Sequence, residues 1–163
     1  MAKGPDWLVE ITNKIADNTR INRELVQAIC AVESSWNRYA VRFEPTWKYV
    51  TQADAWASKL NITTQTETQL QSMSWGLMQI MGSVARELGF TDYIHRLSDP
   101  LLGVNYGCLK LRKLYERYGE ANESDIIAGY NAGSALKEKT GMYFNQQYVD
   151  KVSRELSALR QLK

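Results

Sequence analysis

The sequence predicts a mostly α-helical protein folded as a single domain, residues 1–163. Apolar residues recur at spacings of three and four along nearly the whole chain, and no run alternates convincingly between apolar and polar residues. A chain of 163 residues, of which 44% are hydrophobic and 23% charged, suits one core without disulfide support. No repeat, low-complexity tract or flexible linker divides it.

Two helices are predicted at the N-terminus. Trp7, Ile11 and Ile15 follow Pro5 at spacings of four and predict the first helix. Asn22 is a candidate N-cap of the second helix, because its side chain can accept a hydrogen bond from the first turn. The apolar stripe of this second helix has four members: Leu25, Ile29, Val32 and Trp36.

The following segment, about 37–75, predicts two short helices and one β element. Thr51 with Asp54, and Thr64 with Glu67, have the spacing of a capping box, so we expect a helix behind each threonine. The stretch 38–50, which contains YAVRFEPTWKYV, is the one place that suits a short β-hairpin.

The C-terminal half predicts four further helices. The first spans about 77–88, and the second begins at Ser98-Asp99-Pro100, where a capping residue precedes a proline of the first turn, and ends at Gly119. The other two span about 125–131 and the apolar positions Tyr148, Val149, Val152, Leu156 and Leu159.

The composition excludes several kinds of chemistry. With one histidine, His95, a multi-histidine metal site is impossible and a Ser/His or Cys/His nucleophilic site is disfavoured. The net charge of +2 gives no case for nucleic-acid binding. We therefore expect chemistry based on carboxylates, hydroxyls or amides, with no cofactor and no metal ion.

Cys30 and Cys108 are predicted to be buried thiols, because they lie far apart and among apolar residues with helical spacing. A disulfide between them is the alternative. Residues 1–14 lack the apolar segment of a signal peptide, and the apolar run 28–32 is too short to cross a bilayer. These features predict a protein that accumulates in a cytoplasm.

Glu33 is the first candidate for catalysis. It follows Val26 and Cys30 at spacings of four and three, so a carboxylate continues an apolar row of the second helix. Burial raises the pKa of a carboxyl group and prepares it to donate a proton near neutral pH. A partly solvated surface glutamate near a helix C-terminus is the alternative.

Two further segments combine glycine with polar side chains suited to sugars. In SWGLMQI, residues 74–80, Gly76 permits a turn into a helix and Gln79 offers amide donors and an acceptor. In AGYNAG, residues 128–133, an aromatic ring and an amide stand between two glycines. Ordinary helix ends, with the apolar residues in the core, also explain both segments.

Four short motifs follow one another along the chain: Glu33-Ser34, GLMQ at 76–79, YNAG at 130–133, and Tyr148-Val149. In this order, on a helical background from about residue 20 to 155, they resemble the soluble lytic transglycosylases and the goose-type lysozyme superfamily. The resemblance implies a lysozyme-like fold, here with an inserted segment at about 37–75. It also implies cleavage of peptidoglycan between N-acetylmuramic acid and N-acetylglucosamine, at the β-1,4 bond.

The resemblance implies a role for each matching residue. Glu33 would protonate the glycosidic oxygen and then, as a base, remove the proton from the C6 hydroxyl of muramic acid, which gives a 1,6-anhydromuramic end without water. The hydroxyl of Tyr148 would lie near the Glu33 carboxylate. The residues implied to bind substrate are Ser34, Met78, Gln79, Tyr130, Asn131 and Tyr148.

The insert departs from the simpler members of that superfamily, because 43 positions separate Glu33 from Gly76 where those members have a short loop. It carries Glu44, the candidate second acid of an alternative mechanism in which the enzyme is a hydrolytic lysozyme and activates water. An ion pair of Glu44 with Arg42 or Lys48 is the other interpretation. Its aromatic residues suit stacking on sugars or packing of a small lobe: Trp47, Tyr49 and Trp56.

The predicted substrate lies outside the inner membrane, whereas the chain shows no export signal. The segments YAVRFEP and SWGLMQIMG also look like those of phage lysis proteins. We therefore predict a phage endolysin, a monomer stored in the host cytoplasm and released through holin-made holes to act in the periplasm or cell wall. Its partner would be peptidoglycan glycan strands, with no nucleic acid and no stable membrane insertion. A non-catalytic peptidoglycan-binding module and an all-α interaction protein are the alternatives.

Overall fold

The computed structural model describes residues 4–162 and places most of them in helices. Within that range there are eight α-helices, a 3₁₀ helix at Ile94–Ser98 and three short strands. The helices are α1 (Asp6–Thr19), α2 (Arg23–Ser34), α3 (Ala53–Leu60), α4 (Thr64–Gln71), α5 (Gly82–Glu87), α6 (Pro100–Tyr118), α7 (Glu123–Ala132) and α8 (Gln146–Gln161). The strands are β1 (Val41–Phe43), β2 (Met73–Trp75) and β3 (Ile80–Met81). The predicted mostly helical fold with a small β element is confirmed.

The two N-terminal helices begin as their sequences predict. Helix α1 follows Pro5, and α2 follows Asn22, whose side chain accepts a hydrogen bond from the backbone N–H of Leu25 (2.8 Å). Of the three residues whose spacing predicts α1, Ile15 is buried, whereas Trp7 is 49% exposed. The buried positions of α1 are Leu8, Thr12, Ile15 and Ala16.

Thr12 shows why apolar spacing alone does not identify the buried face of α1. A count of apolar spacings leaves threonine out of the core face. In α1, however, the hydroxyl of Thr12 donates to the backbone carbonyl of Val9 (2.8 Å), so the side chain is buried with its polar group satisfied. The helix therefore turns Leu8, and not Trp7, towards the core.

The three strands form one antiparallel sheet in the order β1-β2-β3. Strand β1 pairs with β2, with Val41 opposite Trp75, and β2 pairs with β3. A hairpin confined to 38–50 is therefore wrong. The chain leaves the sheet after β1 because the backbone N–H of Trp47 bonds back to the carbonyl of Glu44 (3.0 Å) and Pro45 has no N–H for a ladder.

The prediction of one helix over 77–88 is wrong in its first half. That half forms a turn and strand β3, and only the second half forms helix α5. Gly76 (φ 72°) and Gln79 (φ 46°) are left-handed, and the N–H of Gln79 donates to the carbonyl of Gly76 (3.2 Å). A Cβ atom on Gly76 would lie 2.5 Å from the carbonyl oxygen of Leu97, so this position requires glycine. The apolar residues Leu77 and Ile80, which suggested a helix, lie instead on a buried hairpin.

The two capping boxes predicted for the insert are displaced. Helix α3 starts after Gln52, which has a left-handed conformation, while the N–H of Thr51 donates to Oε1 of Gln71 (2.7 Å). Helix α4 is capped by Thr63, one residue before the predicted Thr64. Thr51 is thus engaged by the buried Gln71, whereas the hydroxyl of Thr64 donates to Oδ1 of Asp54 (2.9 Å).

A buried ion pair fastens the insert to the rest of the chain. Arg86 of α5 binds both oxygens of Glu67 of α4 (Nε–Oε1 2.8 Å, Nη2–Oε2 3.1 Å), and both side chains are wholly buried. The guanidinium also donates to the carbonyls of Phe90 and Asp92 (2.8 Å each) and lies 4.3 Å from the centre of the Trp56 ring. Arg86 thereby holds α3 and α4 against α5.

Two apolar clusters meet at the turn between β2 and β3. The larger joins α1, α2, α6, α7 and α8 and includes Met78, and the smaller joins the sheet, α5 and the 3₁₀ helix. Helix α6 begins as predicted, with Pro100 at its first position and the Asp99 side chain accepting from the N–H of Leu101 (2.8 Å). No helix described between residues 4 and 162 has the length and apolar character needed to span a membrane.

Candidate active site

Glu33 lies in the last turn of α2, at the edge of the larger apolar cluster. Val26 and Cys30, which precede it on the same row of the helix, are wholly buried, whereas Glu33 is partly buried and lines an open cavity. The predicted row is therefore confirmed. Helix α2 ends directly afterwards, because Ser35 adopts a left-handed conformation (φ 50°) and turns the chain away.

The hydroxyl of Tyr148 donates a hydrogen bond to Oε1 of Glu33 (2.7 Å), which confirms the predicted proximity of the two side chains. Burial raises the pKa of Glu33, while the Tyr148 hydrogen bond and the charges of Lys110 and Arg42 act in the opposite direction. Burial and the neighbouring Glu33 charge raise the pKa of Tyr148 well above its ordinary value. The phenol therefore stays a hydrogen-bond donor.

Lys110 is a residue of this site that the sequence analysis missed. Its ammonium group lines the same cavity as Glu33, donates to the backbone carbonyl of Tyr130 (2.6 Å) and lies 4.4 Å from the centre of that ring. Burial lowers the pKa of Lys110 to about 8, against the opposing effect of Glu33. Helix α7 has no basic residue in its own last turn, so Lys110 also supplies the positive charge at its C-terminus.

A signal for Lys110 is present in the sequence. Lys110 follows Gly103 and Gly107 on one row of α6, at spacings of four and three. These glycines mark close packing, since a Cβ atom on Gly107 would lie 2.4 Å from Sδ of Met78. A lysine that continues such a row is directed inward. Apolar periodicity overlooks it because lysine is assumed to be exposed.

Gln79 lines the cavity, with its amide group committed to the surrounding backbone. Its Nε2 donates to the carbonyls of Ala40 and Gly76 (3.0 Å each), and its Oε1 accepts from the hydroxyl of Ser74 (2.8 Å). These bonds join both ends of the insert, at Ala40 and Ser74, to the turn between β2 and β3. They fix the wall of the cavity, and contact of Gln79 with a substrate stays a prediction.

Ser34 and Met78 support the cavity wall from behind. The Ser34 hydroxyl lies within hydrogen-bond distance of the carbonyls of Cys30 (3.0 Å) and Leu77 (2.9 Å), which ties α2 to the turn. The Met78 side chain is wholly buried, and its carbonyl accepts from the hydroxyl of Tyr130 (2.8 Å). Met78 therefore offers no surface for the direct substrate contact predicted for it.

Tyr130 and Asn131 bring the end of α7 to the cavity. Tyr130 lines the cavity, but the residue as a whole is only 2% exposed. Asn131 is exposed, and its Oδ1 accepts a hydrogen bond from Nδ2 of Asn145 (3.0 Å), so its NH₂ group is the part suited to donate to a ligand.

Arg42 and Glu44 bring two charges from the insert into the cavity. They form an ion pair (Nε–Oε1 2.6 Å), as one interpretation of Glu44 predicts. Both side chains line the cavity with Glu33. The role of Glu44 as a second acid stays a prediction.

Two open cavities meet at Glu33. One, of about 610 Å³, lies between the insert, α5, α6 and the end of α7, and the other, of about 600 Å³, lies between residues 138–147 and α8. Glu33, Arg42 and Asn131 line both cavities. Each cavity has the size that holds a drug-sized ligand, so an extended polymer that fills both crosses the Glu33 carboxyl group.

The groups that converge here suit acid–base chemistry. Glu33 is a carboxyl group with a raised pKa, and Tyr148 and Lys110 are arranged to stabilise its ionised form. Among residues 4–162, no three His, Cys, Asp or Glu side chains are grouped so as to hold a metal ion.

The chain matches the family described as Transglycosylase SLT domain over residues 10–152. The matched region contains the whole of the site, from Glu33 to Tyr148. Enzymes of this type act on peptidoglycan, whose extended glycan strands fit a site with a cavity on each side of its acid. The chain therefore belongs to the transglycosylase SLT domain family, within the lysozyme-like superfamily, and is a peptidoglycan-cleaving enzyme of the lytic transglycosylase type.

Proposed function

We propose that the protein cleaves the β-1,4 bond from N-acetylmuramic acid to N-acetylglucosamine and leaves 1,6-anhydromuramic ends, with Glu33 as general acid and then general base. The observation that carries this proposal is the position of Glu33, a partly buried carboxyl group with a raised pKa at the junction of two cavities. We propose substrate contacts for Asn131, Gln79 and Tyr130, and supporting roles for Ser34 and Met78.

In the first step, the proton of Glu33 moves to the glycosidic oxygen as the bond from that oxygen to C1 of the muramic residue breaks. Positive charge develops at C1 and the ring oxygen. The Glu33 carboxylate that remains accepts the hydrogen bond from Tyr148 (2.7 Å) and is stabilised by the charge of Lys110. The groups that oppose the raised pKa thus favour the product of this step.

In the second step, the Glu33 carboxylate removes the proton from the C6 hydroxyl of the same muramic residue. The C6 oxygen forms a bond to C1 and closes the 1,6-anhydro ring. Glu33 is protonated again, so the enzyme returns to its starting state and no water is consumed. One carboxyl group therefore serves both steps.

The hydrolytic alternative rests on the position of Glu44 in the same cavity. A water-activating base has to be free to take a proton. The carboxylate of Glu44 is instead paired with Arg42 (2.6 Å), which favours the mechanism with Glu33 alone.

Digestion of purified peptidoglycan, followed by mass spectrometry of the released muropeptides, tests the proposed reaction. We expect products one water lighter than muropeptides with reducing ends, because the C6 oxygen and not water attacks C1. Reducing ends would assign the hydrolytic reaction to this site. Absence of any product would overturn the proposed function.

The charge of Lys110 leads to a prediction about pH. The rate of the acid step, measured as kcat/KM, falls as pH rises through the pKa of Glu33, which burial raises. Lys110→Met removes a charge that favours the ionised carboxylate, so we expect the pKa of Glu33 to rise further and the alkaline limb to move to higher pH. Lys110→Arg keeps the charge and should keep the limb near its wild-type position.

Turbidity loss of a peptidoglycan suspension across a pH series measures this limb, and thermal unfolding checks that each Lys110 variant is folded. An unchanged limb in folded Lys110→Met would contradict the electrostatic role.

We also propose that the biological role is host lysis as a phage endolysin that acts as a monomer on the cell wall after release. The segments around Arg42 and Gly76 that look like phage lysis proteins support this proposal. Expression in a bacterial host should cause lysis only when a holin is co-expressed or the inner membrane is permeabilised. Lysis without either would argue against holin-dependent release.

A further inference from the structure

The insert places a pair of aromatic rings in the cavity on one side of Glu33. Trp47 and Tyr49 both line that cavity, with their ring centres 5.2 Å apart and their planes at 72°. Tyr49 is 70% exposed. Trp56, the third aromatic residue of the insert, serves packing instead. The guanidinium of Arg86 lies 4.3 Å from the centre of its ring and covers one face.

Hydrogen bonds hold the Trp47 ring in place before any ligand binds, and Tyr49 packs edge-on against it. The indole N–H of Trp47 lies within hydrogen-bond distance of the hydroxyl of Ser83 (2.9 Å), which is wholly buried on α5, and of the Tyr49 carbonyl (3.3 Å). The backbone N–H of Glu44 donates to the carbonyl of Ser72 (2.9 Å), which anchors the start of this loop to the end of α4. A pre-organised surface of this kind loses little conformational freedom on binding.

We propose that Trp47 and Tyr49 form a stacking platform for an N-acetylhexosamine ring of the glycan strand, at a position separate from the bond that is cut. The C–H face of such a ring is apolar and suits an aromatic surface, while carboxylates of the same cavity, Glu44 and Glu87, can accept hydrogen bonds from its hydroxyls. The identity of the ligand rests on the proposed function.

Trp47 and Glu33 line the same cavity but are anchored to different elements. Trp47 is fixed to α5 through Ser83, whereas Glu33 is fixed to α8 through Tyr148. A strand long enough to reach the platform gains binding energy away from the reacting bond, and that energy can be used to orient and distort the reacting ring. We therefore expect substrates too short to reach the platform to lose kcat as well as affinity.

The test is calorimetric binding of N-acetylglucosamine oligomers, from the disaccharide to the hexasaccharide, which requires no turnover. We expect Tyr49→Ala to weaken binding of the hexasaccharide about three- to tenfold and to leave the disaccharide little changed. Tyr49→Phe keeps the ring and should bind like the wild type. Tyr39→Ala is the matched control, since Tyr39 is 66% exposed and lines neither cavity.

Equal hexasaccharide affinity in wild type and Tyr49→Ala would overturn the platform, as would an equal loss in Tyr39→Ala. The result is independent of the muropeptide experiment. If binding depends on Tyr49 but no muropeptide is released, the platform stands and the proposed function fails. If muropeptides are released but Tyr49→Ala binds the hexasaccharide as tightly as the wild type, the proposed function stands and the platform fails.

Discussion

The Glu33→Gln variant is expected to cleave peptidoglycan about 10²–10⁴ times more slowly than the wild-type protein. Glutamine keeps the size of the side chain and an oxygen that can accept the hydrogen bond from Tyr148 (2.7 Å to Oε1 of Glu33). It cannot give a proton to the glycosidic oxygen or take one from the C6 hydroxyl, so both steps lose their catalyst. The measurement is the initial rate of turbidity loss of purified peptidoglycan.

Two other glutamate-to-glutamine variants serve as controls for that loss of activity. Glu116→Gln changes an exposed glutamate of α6 and should cleave at the wild-type rate. Glu44→Gln removes the carboxylate that is paired with Arg42, and a loss as large as that of Glu33→Gln would favour the hydrolytic mechanism. Wild-type cleavage by Glu33→Gln would exclude Glu33 from the reaction.

Glu33→Gln is also expected to change the thermal stability of the protein, in a definite direction. Because burial raises the pKa of Glu33 in the folded state, the folded protein binds this proton more tightly than the unfolded chain does. That contribution is complete at pH values below the unfolded pKa and is lost as pH rises through the folded pKa. At neutral pH, Glu33→Gln should therefore unfold at a higher temperature than the wild type, and the difference should shrink as pH falls.

Arg86→Met is expected to lower the free energy of unfolding by about 3–5 kcal/mol. The change leaves the Glu67 carboxylate wholly buried without the guanidinium that binds both of its oxygens (2.8 and 3.1 Å). It also removes the donor to the carbonyls of Phe90 and Asp92. Urea unfolding followed by circular dichroism measures the loss.

Two further variants show whether the buried charge is the cause. The double variant Arg86→Met/Glu67→Met removes both charges, and we expect it to recover much of the lost stability, because no uncompensated charge remains. Arg96→Met breaks the exposed ion pair with Asp92 and should cost less than about 1 kcal/mol. A loss equally small in Arg86→Met would contradict a structural role for the buried pair.

The parts of the site that could be predicted from sequence are those carried by local patterns. A row of α2 predicts that Glu33 continues the buried side of Val26 and Cys30, and the structure confirms this row. The proximity of Tyr148 to Glu33 follows from a resemblance of motifs and not from spacing, since it depends on how α8 packs against α2.

The parts that could not be predicted depend on contacts between distant segments. Strand β1 finds its partner at Met73–Trp75, across the two helices of the insert, and no local signal specifies that pairing. Gln79 adopts a left-handed conformation (φ 46°) because its amide group bonds to Ala40 and Ser74, so glycine-based turn rules miss it. Lys110 is missed because a search for apolar periodicity leaves charged residues out, although Lys110 lies on an inward row of α6.

The two cysteines show whether the native fold depends on a disulfide bond. Cys30 and Cys108 are free thiols in the interior, and burial raises the pKa of both, that of Cys108 to about 12. Since the thiolate is the reactive form, neither sulfur is prepared for oxidation or exchange. The native state therefore rests on packing and hydrogen bonds and not on a disulfide between Cys30 and Cys108, so the redox potential of the surroundings has no such bond to make or break.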